Sequence, residues 1–159
     1  MPDLPLTTDI AEQYIRDLEQ NFENAGDWGV QPTLFVICVY ATQHTIGPQL
    51  LVPVPVSPDA WISDGQLPAD AIASIDPAGL RAAVSPMLVP VAVALAHEVV
   101  VLSGKDARLL YCGLADGTLV GAGRVCGEAP NVKTYAPDHP HDVTPAAVRQ
   151  LAMAVLGGS

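Results

Sequence analysis

One dipeptide constrains this chain more than any other feature. Asp116-Gly117 stands between two apolar runs, Arg108–Ala115 and Thr118–Val125. Asp-Gly favours a two-residue type I′ turn, so the pattern predicts a tight hairpin. With that turn Leu114 faces Leu119, Cys112 faces Gly121 and Tyr111 faces Ala122. Both faces of such a hairpin are mostly apolar, which water does not tolerate on an open sheet. The hairpin therefore lies in a sheet covered on both sides, or a second copy covers it in a homodimer. Gly113, Gly121 and Gly123 remove side chains from it. They leave room for a packed helix or an aromatic ring, or for close approach of a ligand or partner backbone.

Other segments supply the cover. Ile10, Tyr14, Leu18 and Phe22 recur at helical spacing, with Ala11 and Ile15 beside them. They predict an amphipathic helix over 9–24, with Asp9 and Glu12 at capping-box spacing and Gly26 as the stop. Leu34 to Tyr40 is a continuous β-branched and aromatic run, read as a strand buried on both faces. Gln49 to Val56 alternates but carries Pro53 and Pro55, which confines it to a sheet edge. Residues 57–66 read as loop. Short helices follow from Pro68 and, after the N-cap Asp76, from Pro77. Met87–Ala96 is ambiguous, because its valines favour strand and its alanines favour helix; Glu98 to Leu102 is strand-like. Thr144-Pro145 opens a final helix to Leu156, with Val148, Leu151, Ala152 and Val155 inward. Gly127 to Asp142 reads as a polar, mobile loop with three prolines.

The expected fold class is α+β: a single antiparallel sheet of about five strands with N- and C-terminal helices, in the order α-β-β-α-β-β-β-α. That order is similar to profilin-like and roadblock-like sandwiches and to secretion-chaperone-like folds, an analogy of topology alone. The 159 residues suit one domain over 1–159.

Charge narrows the partners. Seven Lys and Arg against 17 Asp and Glu give a net charge of −10. This balance argues against nucleic acid and against anionic membranes, and it favours a basic protein partner. The apolar stretch Met87–Leu102 is broken by Pro90, His97 and Glu98 and is too short to span a bilayer. Cys38, Cys112 and Cys126 form no CxxC pair and lie in or beside apolar runs, which suits reduced thiols and a cytoplasmic setting. Met1-Pro2-Asp3-Leu4-Pro5 has neither the basic nor the apolar region of a signal peptide.

Catalytic signals are sparse. Asp138-His139-Pro140-His141-Asp142 offers metal-ligand types, with His139, His141 and Asp142 as the candidate set and Asp138, Glu128 or His44 to complete it. The same segment also has a structural role, since Asp142 or Thr144 can cap the last helix. In His97-Glu98 a carboxylate adjoins an imidazole, but strand neighbours point to opposite faces. Burial should silence Cys38. The glycines of 117–123 sit in a hairpin strand without the lysine and hydroxyl of a phosphate loop, so neither phosphate nor nucleotide cofactor is expected.

Trp28-Gly29-Val30-Gln31-Pro32-Thr33-Leu34-Phe35-Val36-Ile37, after a short amphipathic helix, resembles the opening of small actinobacterial proteins of uncharacterised function. Those proteins also carry a later Asp-Gly hairpin. The resemblance implies neither an activity nor site residues. The expected function is a non-enzymatic interaction module that docks a protein partner on its sheet or edge. The rivals are a small metal-dependent enzyme using the 138–142 segment and a viral or mobile-element accessory protein that blocks a basic host site.

Overall fold

The computed structural model describes residues 6–26, 28, 29 and 31–157. The segment Met1–Pro5 read for a signal peptide lies outside the described residues. So do Asp27 and Val30, of the turn and the resemblance segment, and Gly158 of the last helix stop.

Helix α1 spans Thr8–Ala25 and buries Ala11, Tyr14, Ile15 and Glu19. Its cap is Thr7, whose hydroxyl accepts the Ile10 N–H at 3.4 Å, rather than an Asp9–Glu12 box. Thr7 starts the helix ahead of Asp9, and the Glu12 carboxylate accepts the Thr134 hydroxyl instead. Gly26 ends it in the left-handed region at φ 70°, where a side chain would be strained.

Among the described residues six strands form one antiparallel sheet: β1 (Thr33–Tyr40), β2 (Val52–Val56), β3 (Leu88–Val100), β4 (Asp106–Gly113), β5 (Leu119–Val125) and β6 (Asn131–Tyr135), in the order β2-β1-β3-β4-β5-β6. The α+β class with helices at both ends is as the sequence suggests, with six strands in place of about five. The added strand is β6, inside the segment read as loop. Val132 pairs with Ala122 and Lys133 with Gly121; the partly buried Val132 packs on the α1 side of the sheet and the partly buried Tyr135 on the other, with exposed polar residues between them. The ambiguous 87–96 belongs to β3, which runs 13 residues. Pro90 fits there because the register slips beside it: Ile37 pairs with Ala92 and Cys38 with Pro90, and a bulge excuses the missing donor. The proline-bearing β2 lies at one edge, as expected.

Among the described residues four further α-helices follow, α2 (Pro58–Trp61), α3 (Pro68–Ala73), α4 (Pro77–Ala82) and α5 (Val143–Gly157), with a short 3-10 turn over Pro48–Leu50. The segment 57–66 is therefore not all loop: α2 carries Trp61 into the core, 7% exposed. On one sheet face α1 packs against Ile37, Ala94, Leu110, Cys112 and Val120. On the other, α3 and α5 close over Leu34, Val93, Leu95 and Leu119, with Val148, Leu151, Ala152 and Val155 facing inward.

The hairpin differs from expectation by one residue. Gly113 faces Leu119, Cys112 faces Val120 and Tyr111 faces Gly121. A type I′ turn needs positive φ at both central residues, and among the described residues only glycines have it, Gly117 at 92°. The connection is longer: the Gly117 N–H donates to Leu114 O, and the Leu114 N–H to Thr118 O. A one-residue slip exchanges faces. Gly121 and Gly123 thus lie opposite Tyr111 and Leu109, on the face away from α1.

Candidate functional site

The histidine loop follows β6. Tyr135, His139 and His141 pack ring to ring, with centroids 4.9–5.0 Å apart. Arg149 of α5 ties the loop down, donating to His139 O at 2.8 Å and Ala136 O at 3.1 Å. Beside the rings is an open depression of about 390 Å³ lined by Tyr111, Tyr135, His139, His141, Asp142 and Pro145. Burial, with the charges of Arg149 and His139, pulls the His141 imidazole below its usual value against the opposing pull of Asp142. Its Nε2 is buried without a hydrogen-bond partner among the described residues.

The two imidazoles meet, but among the described residues no group of three or more His, Cys, Asp or Glu is placed to hold a metal. His44 sits in the loop after β1, with three strands between β1 and β6 in the sheet. The backbone of Glu128 closes a turn, its N–H on Val125 O and its carbonyl accepting from Arg124. Asp142 contributes its carbonyl to α5, accepting the Ala146 N–H at 3.1 Å.

His97 and Glu98 part as strand neighbours do. His97 is 8% exposed, burial keeps its imidazole neutral to lower pH than usual, and its ring lies 5.9 Å from Tyr111. Glu98 turns elsewhere and accepts the Gly29 N–H at 2.8 Å. Burial pushes the thiol of Cys38 up to about 11 and that of Cys112 up to about 12, so neither is a nucleophile at neutral pH. Cys126, at the end of β5, is exposed, unlike the buried thiol its apolar neighbours suggest.

A buried ion cluster went unread in the sequence. Arg108 and Arg124 are cross-strand partners under α1. Glu19 receives Arg108 at 2.8 Å and Arg124 at 2.6 Å, and Glu23 lies 3.4 Å from both. Trp28 covers the Arg108 guanidinium at 4.4 Å. Burial raises the Glu19 carboxyl, but hydrogen bonds and charge from both arginines outweigh it and hold it below the usual value. The signal was present: Glu19 continues the buried spacing Ala11, Ile15, and both arginines alternate into the α1 face.

The helices leave part of the other sheet face open. α5 lies on β3 and β4. Beyond it a shallow trough of about 380 Å³ runs over Leu109, Tyr111, Gly121, Gly123, Val125 and Tyr135. A side chain at Gly121 would meet the rings of Tyr135 and Tyr111 at 3.5 and 3.6 Å, so the glycine forms the floor between them. No helix among the described residues is long and apolar enough to cross a membrane. Comparison with known protein families, with curated proteins and with solved structures finds no match for the chain.

Proposed function

We propose that this chain is a non-enzymatic interaction module that binds a protein partner through the part of its sheet the helices leave open. The observation that carries the reading is the glycine-floored, tyrosine-walled trough over β4, β5 and β6. Flat apolar sheet with aromatic rims suits a docked helix or extended segment. Two facts support a binding role over a catalytic one: the buried thiols stay protonated, and Glu98 is engaged with Gly29 rather than orienting His97. The net charge of −10 favours a basic partner over an acidic one.

The test is photo-crosslinking in native lysate from a benzoylphenylalanine placed at Leu109, with Gln13 on the outer side of α1 as control. The reading expects one defined adduct from Leu109 and none from Gln13. Equal adducts from both positions, or none from either, refute it. An adduct of twice the chain mass identifies the partner as a second copy.

A further inference from the structure

We infer that His97 is an acid-sensitive prop beneath two helices: uncharged, it seats the starts of α3 and α5 on β3, and its protonation releases those starts while the strands stay paired. The inference goes beyond the interaction reading and does not rest on it.

His97 follows Val93 and Leu95 along the sheet face that α3 and α5 cover, because strand residues alternate. It is 8% exposed, and the next residue of that row, Val99, is half-buried. A groove of about 520 Å³ lies over the ring, lined by Leu67 and Pro68 at the start of α3 and by Val143 and Thr144 at the start of α5. The His97 Nε2 is buried without a hydrogen-bond partner among the described residues. Uncharged, the ring packs 5.9 Å from Tyr111 and leaves one bond unmade. An added proton leaves a charged N–H with no acceptor in a site closed to water, a far larger penalty.

No neighbouring element relieves that charge. From α5 the ring meets Val143, Thr144 and the positive end of a 15-residue helix. Asp142, at the same helix start, lines the depression beside the histidine loop instead. From α3 comes Asp70, exposed and in the first turn, where it offsets that helix's own positive end. From β4 come Leu109 and Tyr111, and burial keeps the Tyr111 phenol protonated above its usual range. Glu98 and Arg108 border the ring beside Phe22 of α1; Glu98 accepts the Gly29 N–H and Arg108 is bound to Glu19. Pro32 and Thr33, at the start of β1, carry no charge. Burial accordingly favours the neutral ring.

The helix starts are the part that yields. Leu67 is 67% exposed and Val143 71%, so lifting them uncovers little apolar surface of their own. Val148, Leu151, Ala152 and Val155 keep the later turns of α5 in the core, and β3 is paired on both sides.

Amide hydrogen exchange, followed by NMR on the full-length protein, tests the prop. Ala71 and Ala146 donate to Leu67 O and Asp142 O in the first turns of α3 and α5. An imidazole that charges near 6.5 only when exposed favours the open form about tenfold at pH 5.5. Corrected for intrinsic exchange, protection of both amides should fall about tenfold between pH 7.5 and 5.5. It should not change in about 1 M urea, because local opening exposes little surface, whereas the Val93 amide in β3 should exchange through urea-sensitive unfolding. His97→Gln should abolish the pH effect and His141→Gln should leave it. The wild-type His97 ring signal should titrate below 6.5, which keeps the test decisive should His97→Gln not fold. Unchanged protection at pH 5.5 overturns the inference, as does a urea dependence equal to that of Val93. A pH effect that survives His97→Gln or disappears in His141→Gln overturns it too, and so does a His97 midpoint at or above 6.5.

Discussion

Glu19→Gln should be the most damaging conservative change in this chain. Glu19 is fully buried and receives Arg108 Nη1 at 2.8 Å and Arg124 Nε and Nη2 at 2.9 and 2.6 Å. Glutamine keeps the shape and removes the charge. Of the carboxylates described on the two guanidiniums, whose side chains are 3% and 9% exposed, Glu23 would then remain, at 3.4 Å from each and itself 29% exposed, while Arg124 keeps the Glu128 carbonyl at 3.0 Å. Breaking one side of a buried ion cluster costs about 3–5 kcal/mol, because the remaining charge stays out of water. That is a large part of the ~5–15 kcal/mol that holds a typical domain. At ~2–4 °C per kcal/mol for a chain of this size, the melting temperature should fall by ~6–20 °C. Urea denaturation at constant m-value measures the loss directly. The triple replacement Glu19→Leu with Arg108→Met and Arg124→Met should recover most of it, since it leaves no arginine unpaired under α1. A loss below ~1 kcal/mol for Glu19→Gln, the level of a solvated pair, would refute the buried-charge argument.

Acidification should destabilise the fold. Burial holds His97 and His141 below their usual 6.5, so the unfolded chain takes up protons first; stability is complete above about pH 7 and falls as pH drops through 6.5 toward the folded values. Glu19, held below its usual 4.5, extends the loss to lower pH in the same direction. Urea midpoints across that range check the sign, His97→Gln should flatten the upper step, and a midpoint that rises on acidification contradicts the assignment. In native buffer a thiol reagent should label Cys126 quickly and leave Cys38 and Cys112 until urea exposes them; mass spectrometry that finds either buried thiol modified first would remove it from the core. Gly113→Ala should cost about 1–3 kcal/mol, since its Cβ would stand 2.7 Å from the Ala152 Cβ. Gly121→Ala, with only ordinary contacts to two tyrosine rings, should cost less than Gly113→Ala, and calorimetry that reverses that order would refute the packing described.

The legible parts of the fold were those with one dominant local cause. The stripe of α1 and the inward set Val148, Leu151, Ala152 and Val155 follow from helical periodicity, and Pro53 and Pro55 marked an edge because proline cannot donate. The hairpin register was misjudged because Asp-Gly suits two turns, and the choice depends on the φ of Asp116 rather than on residue type. That slip moved Gly121 and Gly123 to the opposite face, so the trough was hidden although Tyr111, Gly121 and Gly123 were noted. β6 was missed because Asn131-Val132-Lys133-Thr134-Tyr135 is too short and polar to declare a strand without Ala122 and Leu119 beside it. The histidine loop was visible as chemistry, yet its ring-to-ring packing on Tyr135 is a tertiary fact. Local periodicity puts Glu19 on the buried stripe of α1, but its pairing with Arg108 and Arg124 needed the α1–sheet contact.

The two prolines of β2 set a limit on assembly. Residues 53 and 55 turn their nitrogens to the same side, and pairing with β1 leaves that side outward, so this margin offers carbonyls without donors between Val52 and Val56. The other margin, β6, is pleated and has strand β5 on one side only. Strand-by-strand addition can therefore proceed from one end of the sheet and not from the other. Two molecules joined along β6 would use up both receptive margins and present only proline-lined ones. The same geometry that allows a pair forbids a chain of pairs, so growth into an open-ended fibre stops at two.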